Sequence, residues 1–300
     1  MKHVFIINPY AGPENNYNKI KSTLDGLENN YDIEIHQTTY PKEATEFVKN
    51  YATTHPNEEL RFYACGGDGT LNEVVSGAVG FENVSIGIHP CGSGNDFVKS
   101  IGGKTAYSEI ERVLNLKNKK IDVIKVGESN YSINVCNYGF EARVAKHANY
   151  LKIKRKKNPY FWGIVNALFT SMKNDITVEA DGEIMNKDGK MLLGGSSNGG
   201  YVGGKYFCAP RFVLDDGLLE VCLVKCVSIF TLLKLIKQYE RGKHLEDKRF
   251  DKLLVYKRAK KVKLYSNKPF DICLDGEILT GNEFDLEILN KAINFAISED

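Results

Sequence analysis

The chain has 300 residues, 42% of them hydrophobic and 26% charged, with 40 Lys or Arg against 38 Asp or Glu and a formal net charge of +2. That length exceeds what one core usually occupies and favours two domains, the composition is that of a chain folded throughout, and so small a net charge gives no ground for a nucleic-acid partner. The seven cysteines, at 65, 91, 136, 208, 222, 226 and 273, form no CxxC pair and are odd in number, so they read as buried thiols in a reducing cytoplasm rather than as a disulfide framework or a metal site.

His3 to Asn8 is β-branched and apolar, as expected of a strand, and its apolar run is too short for a signal-peptide core. No secretion signal is therefore expected. A turn-rich stretch and helical spacing at Tyr17, Ile20, Leu24 and Leu27 follow, then a strand over Tyr31 to Gln37 and a helix marked by Ala44, Phe47, Val48, Tyr51 and Ala52. Leu60 to Cys65 is strand-like, a glycine loop leads into a helix over Leu71 to Val79, and Val84 to His89 is a strand before a second glycine loop and a helix at about Tyr107 to Leu116. Strands alternating with helices need crossover connections, which predicts an α/β domain with a parallel sheet covered on both faces.

After Lys120 the pattern changes to short alternating strands (IDVIKV, YSINVCN, ITVEA, LLEVCLV, LLVYKR, KVKLYS) between Gly, Asp and Asn turns, which predicts a mainly antiparallel β domain. Helical spacing interrupts it over Phe140 to Lys157, Phe161 to Lys173 and Ile229 to Tyr239. The boundary is placed at the polar, aperiodic LNLKNKK, giving domains 1–120 and 121–285, with residues 286–300 free to return to the first. The longest apolar stretches are broken by Lys225 and Lys234 and fall far short of the ~20 residues of a membrane span, so membrane contact is expected to be peripheral.

The strongest local signal is CGGDGTLNE, residues 65–73, between a buried-type strand and an amphipathic helix. Glycines let backbone approach a phosphate, a helix N-terminus at Thr70 offers unpaired N–H groups, and Asp68 places a carboxylate where a Mg²⁺ could bridge it to the phosphates. A plain Gly-Asp-Gly turn is the alternative. Two further loops, Asn8-Pro9-Tyr10-Ala11-Gly12 and PCGSGNDF (residues 90–97), also follow strands, so all three should emerge at the carboxyl ends of parallel strands, where α/β sheets bind ligands. GxxxxGK[ST] and GxGxxG fingerprints are missing, which disfavours a P-loop NTPase or a standard Rossmann oxidoreductase.

In this order and spacing NPYAG, GGDGTLNE and PCGSGNDF resemble the catalytic domain of the diacylglycerol kinase family, including its bacterial lipid kinase branch. The resemblance covers nearly the whole chain. It implies an N-terminal nucleotide domain, a C-terminal β-sandwich, a cleft holding ATP and lipid, and transfer of the γ-phosphate with Mg²⁺ to diacylglycerol or a related lipid alcohol. Matched by position, Asn8, Pro9, Tyr10, Ala11, Gly12, Thr38, Gly67, Asp68, Gly69, Thr70, Leu71, Asn72, Glu73 and Ser93 would line the nucleotide site; Ser93 stands where many bacterial relatives have Thr, and keeps the hydroxyl. NAD kinases look similar in GGDGT, but GSGNDF and DDGLLEV look more like the lipid kinases. A sensing module without turnover is disfavoured by the intact Asp68 and Glu277.

Phosphoryl transfer usually uses a carboxylate to take the acceptor proton. Asp181-Gly182-Glu183 and Asp275-Gly276-Glu277 both read as Asp-Gly hairpins. The resemblance places an active-site DGE late in the sandwich, which selects Glu277 as proton acceptor with Asp275 beside it and leaves 181–183 as a turn. Val213 to Leu218 resembles the segment that holds a structural Mg²⁺ in bacterial relatives, with Asp216 as carboxylate ligand and Val213 and Leu218 giving carbonyls; a hairpin turn is the alternative. The glycine-rich run Asn198 to Gly204 suits either a close approach to ligand or a flexible connection.

Between Lys146 and Trp162 basic residues stand among Tyr150, Leu151, Ile153, Tyr160, Phe161 and the only Trp, a composition suited to docking on anionic lipid or to a solvated helix connection. The reading is thus a cytoplasmic enzyme peripherally associated with the membrane. Its oligomeric state is left open, a homodimer included.

Overall fold

Lys2–Ile7 forms β1, with five of its six residues buried, as a strand covered on both faces requires. In this computed structural model, which describes residues 1–13, 15–154, 158–170 and 172–298, there follow α1 (Asn16–Asp25), β2 (Ile33–Gln37), α2 (Glu43–Thr54), β3 (Leu60–Gly66), α3 (Asp68–Ala78), β4 (Val84–Pro90), the short α4 (Asp96–Lys99), α5 (Ile110–Leu114) and β5 (Lys117–Val126). β1 pairs in parallel with β2 and β3, and β3 with β4, so the sheet runs β4-β3-β1-β2. The chain reverses its direction across the sheet between β1 and β3, which makes the carboxyl ends of those two strands the switch point.

Then come β6 (Asn130–Ser132), β7 (Val135–Gly139), α6 (Phe140–Ile153), α7 (Pro159–Thr170), β8 (Thr177–Ala180), β9 (Glu183–Ile184), β10 (Leu193–Ser197), β11 (Tyr201–Val202), β12 (Tyr206–Phe207), β13 (Leu219–Val224), α8 (Ile229–Glu240), β14 (Leu254–Ala259), β15 (Lys261–Leu274) and β16 (Glu277–Ile297). Two compact units result: Met1–Val123 with the chain from Asn290 onward, and Ile124–Leu289. In the first unit the end of β16 adds to β4 in parallel, and Phe295 meets Phe97 edge to face. The second is antiparallel throughout, in the order β14-β13-β10-β7-β15-β16 with β8 and β9 joined to β15. Its core includes Ile124, Tyr138, Val178, Val221, Leu264 and Ile272. No helix among the described residues is long and apolar enough to cross a membrane.

Several elements depart from expectation for physical reasons. LNLKNKK is not a linker: its KNKK is the exposed first half of β5. The buried Arg61 guanidinium donates to the Leu114 and Leu116 carbonyls and to Asn118 Oδ1, a tie that local polarity could not reveal. Tyr107 to Leu116 is a 3-10 turn plus α5 rather than one helix. β10, LGGSS, is wholly buried at the centre of its sheet. A Cβ at Gly194 would stand 2.3 Å from the Tyr138 ring, so the glycine that hides this strand in the sequence is required by its packing. All seven cysteines are free, but Cys226 is exposed and Cys91 and Cys222 partly so, which corrects the expectation of seven buried thiols. Cys226 lies beyond the end of β13, where strand alternation no longer turns it inward.

Candidate active site

The ends of the four parallel strands lie level, with Ile7 opposite Gln37 and Cys65, and Gly66 opposite Pro90. The segments that follow them are therefore neighbours, and they are tied together. Asn8 Nδ2 donates to Thr70 Oγ1 at 3.1 Å, joining the first loop to α3 across the switch point. Asn8 also organises its own loop, its Oδ1 accepting from the Tyr10 amide and its carbonyl from the Ala11 amide. Gly12 has φ +87°, and a Cβ there would stand 2.8 Å from the Cys91 carbonyl, so the first loop closes against the third through a glycine. Tyr10 is 86% exposed. Pro9 and Ala11 are half-buried. Thr38 is buried after β2, where its amide donates to the Ile7 carbonyl at 3.0 Å.

The helix after β3 begins at Asp68, with Gly67 as its cap position, two residues earlier than the Thr70 start expected. Asp68, Gly69 and Thr70 are therefore the first turn of α3, where backbone amides point along the helix axis and the positive dipole end favours an anion. A Cβ at Gly69 would meet nothing within 4 Å, so packing does not require this glycine and the space over the helix start is open. Leu71 is buried in the core and Asn72 is nearly so, while Glu73 gives its carbonyl to Thr45 Oγ1. At Leu71, at most the backbone is available to a ligand.

Asp68 has a second connection. Its Oδ1 accepts from the Asp96 amide at 2.6 Å and from the Phe97 amide at 3.4 Å, capping α4. A Cβ at Gly94 would lie 2.9 Å from Asp68 Oδ2 and 3.9 Å from an Asp96 oxygen, so two carboxylates flank that glycine. Gly92 is equally constrained, since its Cβ would stand 2.6 Å from the Gly67 Cα. The Gly66 carbonyl accepts from the amides of Cys91 and Gly92 and from Asn95 Nδ2. Ser93 is exposed at the tip of this third loop, and Lys104 Nζ donates to the neighbouring Gly92 carbonyl at 2.9 Å. Sequence reading did not assign roles to Asn95, Asp96 and Lys104. Asn95 is fully buried with φ +48°, a conformation Asn tolerates better than most residues, and its place after a glycine was the available signal.

The remaining candidates belong to the second unit. Asp275 and Gly276, with φ of +48° and +105°, join β15 to β16 as a two-residue turn of type I′. The Asp275 carboxylate accepts from the amides of Ile133 and Val135, both at 2.9 Å, and of Asn134 at 3.4 Å. Glu277 beside it is exposed and makes no ion pair among the described residues. Asn149 of α6 donates to the Gly276 carbonyl at 2.7 Å. Asp216 accepts from the Leu218 amide at 3.1 Å and is ion-paired with Arg258, while Val213 is 40% exposed. Among the described residues no three His, Cys, Asp or Glu side chains gather as metal ligands. The glycine run 198–204 is structural: a Cβ at Gly200 would meet Phe207 and Phe212 at 2.8 Å, and Gly203 and Gly204 turn the β11–β12 hairpin with positive φ.

Comparison with known proteins agrees with this architecture. Residues 2–126 match the diacylglycerol kinase catalytic domain, and residues 134–297 match the YegS C-terminal NAD kinase β-sandwich-like domain. A diacylglycerol kinase of Bacillus subtilis (strain 168) is 27% identical over 283 residues, covering 92% of this chain and 90% of that one. One from Staphylococcus saprophyticus is 30% identical over 256 residues, covering 81% of each. The crystal structure of a diacylglycerol kinase from Bacillus anthracis superposes with a TM-score of 0.71 at 21% identity, over 99% of this chain and 97% of that one, and so shares the fold. Matched in both of its units and along most of its length, the chain belongs to the bacterial lipid kinase branch of the diacylglycerol kinase family and is a lipid kinase.

Proposed function

We propose that this lipid kinase takes the γ-phosphate of ATP, with Mg²⁺, and transfers it to the hydroxyl of diacylglycerol or a related lipid alcohol. The supporting observation is the set of loops at the ends of β1, β3 and β4, closed on one another around the start of α3. On this reading the amides of the α3 first turn and the glycine backbones of 67, 69, 92 and 94 receive the phosphates. Mg²⁺ binds through one or two carboxylates plus phosphate oxygens rather than in an all-protein cage, and the Asp68 and Asp96 carboxylates flanking Gly94 suit that role. The metal would offset charge on the transferring group, and Glu277 would accept the hydroxyl proton. The Asp216 turn is proposed as a second, structural Mg²⁺ site with the Val213 and Leu218 carbonyls, in competition with the Arg258 guanidinium already beside that carboxylate.

A cytoplasmic enzyme that visits the bilayer fits seven free thiols. Its approach is assigned to the Lys146–Trp162 segment, of which residues 155–157 lie outside the described residues. Within it Lys146 is tied to Asp271 at 2.8 Å, Lys154 lies over the Tyr150 ring, and Phe161 and Trp162 are more than half exposed. The test is ATP consumption against a panel of lipid alcohols and NAD, with the phosphorylated product identified. NAD is included because of the likeness of the second unit to an NAD kinase sandwich. A lipid phosphate product, lost in Asp68→Ala and in chelator, is expected; turnover of NAD alone would overturn the substrate assignment.

A further inference from the structure

The helix α8 is apolar on two sides. Leu232 and Leu235 are buried and Ile236 and Tyr239 half-buried, which completes an inward stripe at helical spacing. The opposite stripe is Phe230, Leu233, Lys234 and Lys237, with Phe230 75% and Leu233 54% exposed and Ile229 39% exposed at the helix start. Single exposed apolar residues need no explanation, but three within the first two turns of one helix, its start fixed by the Ser228 side chain accepting from the Thr231 amide, form a patch. From Lys225 to Tyr239 the chain holds three Lys and neither Asp nor Glu. The acidic groups nearest its base, Asp175 and Asp188 around Cys226, are matched by Lys173 and Lys190, and at the far end Glu240 pairs with Lys205.

We infer that the outward face of α8 is a membrane-insertion surface, seating Ile229, Phe230 and Leu233 in the headgroup boundary of an anionic bilayer while Lys225, Lys234 and Lys237 meet lipid phosphates. The choice of a bilayer rests on the lipid-kinase reading, because the substrate is itself a bilayer component. Two further facts favour it over a second protein. Lys is depleted at protein interfaces, yet here it alternates with the apolar residues. A stable dimer needs about 800 Å² on each partner, far more than these few side chains expose. An apolar stripe flanked by Lys is the composition of helices that lie in the interfacial plane. The helix is also built into the fold: Leu232, Leu235 and Ile236 pack in one cluster with Ile164 and Leu168 of α7, whose Phe161 and Trp162 are exposed. This surface differs from the Lys146–Trp162 segment in mechanism. The segment acts through charge and weakens with salt, whereas burial of Phe230 and Leu233 does not.

The test places a Trp on the face, Phe230→Trp in a Trp162→Phe background, and adds vesicles of equimolar phosphatidylglycerol and phosphatidylcholine. A blue-shifted emission on vesicle addition is expected, as is a loss of vesicle partition of about tenfold or more in Phe230→Ser/Leu233→Ser at high salt. Phosphorylation of detergent-dispersed diacylglycerol should be unchanged in the double Ser variant. An unmoved spectrum, with or without sedimentation of the protein on the vesicles, overturns the inference. So does a blue shift that grows with protein concentration and needs no vesicles, which would assign the face to a second copy. If wild type phosphorylates no dispersed lipid, the kinase reading fails while the vesicle result still stands or falls on its own.

Discussion

The hairpins at Asp181-Gly182-Glu183 and Asp275-Gly276-Glu277 are the same object locally. Each Asp has φ +48°, each Gly has positive φ, and each Asp carboxylate accepts backbone amides of a neighbouring segment: Lys260 and Lys261 for Asp181, and Ile133 to Val135 for Asp275. They differ in what surrounds the glutamate. Glu183 is ion-paired with Lys257 at 2.7 Å, which holds its carboxyl below the usual range, whereas Glu277 stands exposed with no ion pair among the described residues. The Asp275 hairpin is also anchored by Asn149 of α6. Local sequence thus dictates the turn, and the neighbours decide whether the acidic residue beside it is available for chemistry.

Exchanging the two glutamates should break the likeness most strongly. Glu277→Gln is expected to lower turnover by roughly 10² to 10⁴-fold with ATP still bound, while Glu183→Gln loses only an exposed pair and leaves turnover near wild type. Steady-state kinetics and nucleotide binding on both variants check this, and the reverse pattern would assign the base to the other hairpin. The two aspartates should also separate, this time in stability. Asp275→Ala strands three amide donors and should cost about 3 kcal/mol, against about 1 kcal/mol for the more exposed Asp181→Ala, as read by urea denaturation. Similar losses would show that the segment 133–135 has other partners.

A third acidic turn sharpens the comparison. Gly217 has φ +71° and Asp216 is paired with Arg258, so this carboxylate resembles Glu183 more than Glu277. If Mg²⁺ displaces Arg258, saturating metal should stabilise the protein by roughly 1 to 3 kcal/mol by mass action, and Asp216→Ala should abolish that gain. Equal melting temperatures in Mg²⁺ and in chelator, for both proteins, would leave Asp216 as a turn held by arginine.

These contrasts also explain what the sequence could reveal. The strand-end loops were legible because their chemistry is local: a buried strand, glycines and a helix start occur within ten residues, and the apolar runs of β1, β3 and β4, alternating with helical spacing, announce a parallel sheet. The start of α3 was misplaced because Asp68 and Gly69 look like loop residues, although they form its first turn. β10 was invisible because LGGSS carries no strand signal, its place being set by Tyr138 and Leu223 on neighbouring strands. The clamp of Asp275 on Ile133 to Val135 spans about 140 residues, and no local pattern encodes it. Lys104 was missed for the same reason, since its partner, the Gly92 carbonyl, is joined to it only by the fold.

A difference in pH dependence tests the element that distinguishes the two hairpins. α6 anchors the Asp275 hairpin, and its first turn carries Glu141, whose carboxyl is buried near Tyr239 of α8 with its Oε2 left without a hydrogen-bond partner. Burial pushes this carboxyl up to about 7, while the nearby Tyr239 hydroxyl opposes the shift. The folded protein therefore holds a proton that the unfolded chain, near 4.5, has released. Stability from this group is complete below the unfolded value, declines as pH rises, and is gone above about 7. His3 and His244, both lowered to about 4 chiefly by burial, act in the opposite direction, losing stability as pH falls below 6.5. The Glu141 contribution is therefore read as a difference between wild type and Glu141→Gln, in which the histidines cancel. Gln should be about 2 kcal/mol more stable relative to wild type at pH 8 than at pH 5, by urea denaturation at both values. A pH-independent difference would mean that Glu141 is already ionised in the folded state, and that α6 holds its hairpin without a buried proton.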